Sequence, residues 1–170
     1  MPAYIVLLRA VNVGGTGKLP MSDLKSICEQ AGFTKVKTYI ASGNVVFQSK
    51  LTEAKVKSTL EAALAAYAGK PVGVLVRNAV EMAAVVAENP FPDAPTNKTV
   101  AIFLDAAPPA KALETVTNQT IEELRLGKRE IYGYYPDGQG QSKLRIPSAK
   151  TGTARNMNTV AKLAEMALNL

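Results

Sequence analysis

The 170-residue chain has no histidine, no tryptophan and a single cysteine, Cys28. Without histidine there is no imidazole general base, no His-containing triad and no zinc site of the kinds that need imidazole. A lone cysteine makes neither an internal disulfide nor a Cys-rich metal site, a usage that suits a reducing compartment. Aromatic residues are 6% of the chain, too few to favour a stacking surface for single-stranded nucleic acid. No stretch approaches the ~18 apolar residues of a membrane span. The apolar run Ala3–Leu8 has no basic leader and stops at Arg9, so a signal peptide is not expected and a cytoplasmic location is. What is present is an ordinary globular composition, 47% hydrophobic and 20% charged.

The first 77 residues punctuate themselves. Ala3–Leu8 is a continuous apolar run of strand length, as for a strand buried on both faces. A glycine-rich loop, Asn12 to Pro20, leads to Met21, Leu24, Ile27, Cys28 and Ala31, which recur at helical spacing before Gly32. Val36, Thr38 and Ile40 alternate with Lys35, Lys37 and Tyr39, a strand with one wet face. Ser42-Gly43-Asn44 turns it into Val45-Val46-Phe47, predicting a hairpin. Thr52 caps a helix with the apolar stripe Val56, Leu60, Ala63, Leu64 and Tyr67, ended by Gly69. Pro71 to Arg77 adds a strand. The order β-α-β-β-α-β is that of the ferredoxin-like split βαβ unit.

The second half repeats this order less tidily. Asn78 with Glu81 resembles a capping box, opening a helix with the stripe Met82, Val85 and Val86. Thr99–Leu104 reads as a strand, and Pro108-Pro109 opens a short helix carrying Leu113 and Val116. Leu124–Leu126 and Ile131–Tyr135 flank Gly127-Lys128 as a second hairpin. A loop follows, then a helix from about Ala154 with Val160, Leu163, Ala164 and Ala167 inward. The expectation is an α+β chain of two ferredoxin-like (α/β plait) domains with antiparallel sheets. Residues 1–77 form the first, and residues 78–170 form the second, less regular one, with a basic loop and a C-terminal helix.

The loop Gly14-Gly15-Thr16-Gly17-Lys18 invites comparison with a phosphate-binding P-loop. That motif requires a glycine where Asn12 stands and a hydroxyl where Leu19 stands, so nucleotide hydrolysis by this route is not expected. Loop amides beside Arg9 and Lys18 still suit an anion, although the same glycines serve equally as turn formers. Charge is uneven: +4 over residues 1–50, −1 over residues 51–120 and +3 over residues 121–170. Gly138 to Ala164 carries Lys143, Arg145, Lys150, Arg155 and Lys162 with no acid, a segment suited to phosphates or simply to solvent. Tyr4 and Phe47 could sit where RNA-recognition domains stack bases, but Asn44-Val45-Val46-Phe47-Gln48 lacks their aromatic-glycine pattern. Cys28, on an apolar stripe, reads as core, and Tyr132, Tyr134 and Tyr135 as a packing or interface patch.

Three segments resemble a known bacterial family. Leu7-Leu8-Arg9-Ala10-Val11-Asn12-Val13-Gly14-Gly15, Tyr39-Ile40-Ala41-Ser42-Gly43-Asn44-Val45-Val46-Phe47 and Thr153-Ala154-Arg155-Asn156-Met157-Asn158-Thr159-Val160 are similar to the family called domain of unknown function 1697. Met157 departs from it, standing where a tryptophan is usual. The resemblance implies a pair of ferredoxin-like domains and no activity. It singles out the polar loop residues Arg9, Asn12, Gly14, Gly15, Ser42 and Asn44, and Arg155, Asn156 and Asn158 near the end of the chain, as candidate ligand contacts. Lys18 joins them by its place in the glycine-rich loop.

Three functional readings follow. The leading one is a cytoplasmic protein that binds an anionic ligand, either a phosphorylated metabolite or nucleic acid, through Arg9, Lys18, Arg155 and loop amides. A second is an enzyme of unknown reaction that uses Lys, Tyr or a carboxylate in place of histidine. A third is an interaction scaffold built on the Tyr-rich hairpin. No cofactor, metal or membrane association is expected, and the oligomeric state is left open.

Overall fold

The computed structural model describes residues 1–12 and 18–170. Among these residues the fold is α+β, with two four-stranded antiparallel sheets and four α-helices. The chain divides into two compact units, Met1–Ala83 with Lys162–Leu170, and Ala84–Ala161. No helix among the described residues is long and apolar enough to cross a membrane.

The first unit runs β1 (Ala3–Arg9), α1 (Met21–Gln30), β2 (Thr34–Thr38), β3 (Asn44–Gln48), α2 (Glu53–Ala68) and β4 (Gly73–Asn78). Its sheet order is β2-β3-β1-β4, with β1 antiparallel to both β3 and β4. Tyr4, Val6 and Leu8 alternate along β1 into a core shared with Leu24 and Cys28 of α1 and with Val56, Leu60 and Leu64 of α2. Full burial of each aliphatic side chain there contributes about 1.5–3 kcal/mol before the entropy of ordering it. Ile5 and Leu7 point the other way and are no more than 1% exposed, which is why β1 reads as an unbroken apolar run. Phe33 and Phe47 stack with centroids 4.2 Å apart, fixing the start of β2 over β3.

The helix ends obey their local signals. The Thr52 side chain accepts a hydrogen bond from the Lys55 amide at 3.3 Å, and α2 stops at Gly69 in the left-handed region. Two expectations fail in this unit. Ile40 lies outside β2, 50% exposed with φ +49°, because β2 ends at Thr38 and the turn to β3 begins earlier. Tyr67 does not continue the buried stripe of α2. It is 46% exposed, and its hydroxyl donates to Asp23 Oδ2 at 2.6 Å.

The helix α3 (Ala79–Ala87) opens on a reciprocal capping box: Asn78 Oδ1 accepts from the Glu81 amide at 2.8 Å and Glu81 Oε1 from the Asn78 amide at 3.0 Å. The second unit holds β5 (Thr99–Phe103), β6 (Glu123–Leu126), β7 (Glu130–Tyr134) and β8 (Thr153–Asn156), in the order β6-β7-β5-β8. Val100, Ile102, Leu124 and Ile131 form its core, packed by Leu113, Val116, Leu144 and Ile146 from irregular segments. Thr117 and Arg145 tie those segments together through two backbone hydrogen bonds of 3.0 and 2.9 Å.

Here too the structure corrects the sequence reading. The segment after Pro108-Pro109 forms only a 3-10 turn, Ala112–Thr115. The C-terminal helix, α4 (Met157–Leu168), does not begin near Ala154; residues 153–156 are the edge strand β8, paired from Phe103↔Thr153 to Val100↔Asn156. Val160, Leu163, Ala164 and Ala167 are buried as expected.

Candidate functional site

Antiparallel pairing of β1 and β4 brings the end of one strand to the start of the other, with Arg9 opposite Gly73. At this end of the first unit lies a cavity of about 380 Å³. Arg9, Lys18 and Lys70 supply three cations to its lining, Leu19, Leu64 and Val72 supply apolar wall, and Tyr67 adds an aromatic ring. No carboxylate is among the described residues that line it.

Each cation is positioned by local structure. A Cβ on Gly73 would stand 2.8 Å from Arg9 Cβ and 3.3 Å from its Cδ, so only glycine lets the Arg9 stem lie against β4. Lys18 precedes Leu19, whose backbone is clamped by one side chain: the Leu19 amide donates to Asn12 Oδ1 at 2.7 Å and Asn12 Nδ2 donates to the Leu19 carbonyl at 2.8 Å. The same Nδ2 donates to the Ala41 carbonyl at 2.8 Å, joining the β1–α1 and β2–β3 loops. Lys70 follows Gly69 at the end of α2. The carbonyl end of a helix carries about half a negative charge, which favours a lysine there and is outweighed by three full cations.

Of the residues singled out in the sequence, Arg9 and Lys18 line this cavity and Asn12 holds the loop beside it. Gly14 and Gly15 lie outside the described residues. Asn44 is fully buried, and its amide nitrogen donates to the Tyr39 carbonyl at 2.9 Å and to Ser42 Oγ at 2.8 Å, which closes the β2–β3 turn. Arg155 belongs to the second unit. It is 8% exposed on β8, bonded to Thr153 Oγ1 at 2.7 Å and the Ala154 carbonyl at 3.0 Å, and burial lowers its pKa to about 10. Asn156 ends β8 and Asn158 is exposed in the first turn of α4. Sequence reasoning missed Tyr67, Lys70 and Gly73. A signal for the last two existed: an antiparallel β1–β4 pair places whatever precedes β4 beside whatever follows β1.

The second unit has a smaller cavity, about 190 Å³, with Glu122, Asp137, Ser142 and Lys143 in its lining. Glu122 is 7% exposed and accepts hydrogen bonds from Ser142 Oγ and, at 2.7 Å, from the Thr120 amide. These bonds hold its carboxyl down to about 2, so it is an anion that ties two loop segments together. Two carboxylates make this the poorer cavity for an anionic ligand. Elsewhere burial pushes the Cys28 thiol up to about 12 and raises Tyr132 and Tyr135.

The model of the family described as Protein of unknown function (DUF1697) matches residues 1–132. The chain belongs to that family. The match takes in all the residues that line the larger cavity, from Arg9 to Gly73, and stops short of the segment 153–160 that also carried the resemblance. Among solved structures, this DUF1697 chain is similar to a conserved bacterial protein from Streptococcus pneumoniae, at 24% identity and a TM-score of 0.81, covering 98% of each chain. That likeness speaks to the fold. A search of curated proteins finds no match.

Proposed function

We propose that the first unit binds a small phosphorylated metabolite in the cavity beside Arg9, Lys18 and Lys70. The observation that carries this reading is three cationic side chains, and no carboxylate among the described residues, around one concavity of about 380 Å³. Pockets of that size suit small molecules, whereas a nucleic acid needs an extended basic track. Near a protein surface a unit charge pair ~4 Å apart gains about 4 kcal/mol before desolvation is subtracted, so a phosphate dianion among three cations has ample attraction to draw on. Binding is favoured over acid–base catalysis because no resolved shift among the described groups brings a side chain near neutral pH: Cys28 and the tyrosines rise, Glu122 falls, and Arg155 drops only to about 10.

We propose also that each sheet with its helices or loops is a ferredoxin-like plait, in domains of residues 1–77 and 78–170, and that the protein works in the cytoplasm. The strand orders β2-β3-β1-β4 and β6-β7-β5-β8 support the first point, since both set the first strand of four between the third and the fourth.

Calorimetric titration with ribose 5-phosphate tests the binding reading. The wild-type chain is expected to bind, and Arg9→Gln and Lys70→Gln each to weaken binding about 10- to 100-fold, the worth of one charge-assisted contact. Lys143→Gln, in the other unit, leaves affinity unchanged. Equal affinity in all four proteins, or tight binding only to a single-stranded oligonucleotide with steep salt dependence, would overturn the assignment.

A further inference from the structure

The cavity is larger than a phosphate group needs. At about 30 Å³ per water, 380 Å³ would hold about a dozen waters, so most of the volume belongs to whatever the phosphate is attached to. The lining also holds apolar residues: Leu19 is 4% exposed and Leu64 1%, with Val72 and Pro71 besides. Tyr67 completes the lining and behaves unlike its neighbours on α2. Helical spacing sets it with Leu60 and Leu64, yet it remains 46% exposed. Its hydroxyl proton is committed to Asp23 Oδ2 on α1 at 2.6 Å, a bond that tethers the end of the side chain from α2 to α1. What Tyr67 then offers a ligand is an aromatic surface already held in place, which costs little side-chain entropy to use. The bond to Asp23 also raises the phenol pKa, so the ring stays neutral.

Building on the phosphate reading above, we infer that the ligand is a nucleoside monophosphate, its phosphate among Arg9, Lys18 and Lys70 and its base on Tyr67. A base stacked on an aromatic side chain gains a sequence-tolerant contact. A sugar phosphate of the same charge leaves that surface, and the apolar wall, unused.

Two ligands that differ only in the base test this. Adenosine 5′-monophosphate and ribose 5-phosphate are titrated calorimetrically into the wild-type chain and into Tyr67→Ala, Tyr67→Phe and Arg9→Gln. Circular dichroism melting first establishes that each variant is folded. The wild type is expected to prefer the nucleotide about tenfold or more, from the stacking contact. Tyr67→Ala removes that preference, weakening the nucleotide about tenfold more than ribose 5-phosphate, while Tyr67→Phe, which lacks the anchoring hydroxyl and keeps the ring, retains most of it. Arg9→Gln weakens both ligands by the same factor. Equal wild-type affinity for the two ligands, or a preference that survives Tyr67→Ala, overturns the nucleotide assignment and leaves the phosphate cavity standing. If neither ligand binds, the cavity assignment fails with it.

Discussion

Replacing Gly43 with alanine separates two costs that are usually confounded. Gly43 sits in the β2–β3 turn with φ +90°, and a Cβ there would lie 2.6 Å from Val11 Cγ2 and 2.9 Å from Leu8 Cβ. The Leu8 atom is the root of a side chain on a buried strand and cannot swing aside. Gly69 has φ +72° and nothing within 4 Å of the same added atom. Both substitutions force an L-residue into the left-handed region, at about 1–2 kcal/mol. Only the first adds overpacking, at about 1–3 kcal/mol. Gly69→Ala should therefore cost about 1–2 kcal/mol and Gly43→Ala about 2–5 kcal/mol. In urea unfolding followed by circular dichroism, with m about 2 kcal/mol per M, the steric excess separates the two midpoints by about 0.5–1.5 M. Coincident midpoints would refute the claim that the β2–β3 turn is packed against β1 and the loop beside the cavity.

Glu122 and Cys28 supply two further tests. The folded-state pKa of Glu122 is depressed from its ordinary 4.5 to about 2, so its contribution is present above pH 4.5 and is lost as the pH falls toward 2. The melting-temperature gap between wild type and Glu122→Gln should accordingly narrow across that window; a gap that widens on acidification would contradict the assignment. Cys28 is fully buried with its thiol raised to about 12, so a disulfide-exchange reagent at pH 8 should react only as the first unit opens, with denaturant-dependent rates. Rapid labelling of the folded chain would show the α1 core to be less closed than described.

Elements whose signals are local were legible in the sequence. The unbroken run Ala3–Leu8, the Thr52 cap with Gly69, and the Asn78–Glu81 box each specify their own geometry within a few residues. Strand β8 was hidden because Thr153-Ala154-Arg155-Asn156 has neither apolar alternation nor length. It becomes a strand by pairing with β5, some fifty positions earlier in the chain, a contact that no periodicity reports. The site was half legible for the same reason. Arg9 and Lys18 stood out beside a glycine-rich loop, whereas Lys70 and Gly73 acquire meaning only once β4 lies along β1. Tyr67 was misread because helical spacing gave it a place on the buried stripe, and the hydroxyl took it to Asp23 instead. Asn44 and Arg155 have chemistry that suits a ligand, and the structure shows Asn44 hydrogen-bonded within the turn and Arg155 within β8.

The central claim is where the phosphate binds, and amide chemical shifts answer it most directly. The folded, isotope-labelled chain is titrated with ribose 5-phosphate while the backbone amides are followed by NMR. Saturable shifts should concentrate at Arg9, Lys18, Lys70 and Gly73 and leave β5 to β8 still. Shifts confined to the second unit, or none at millimolar ligand, would contradict the account.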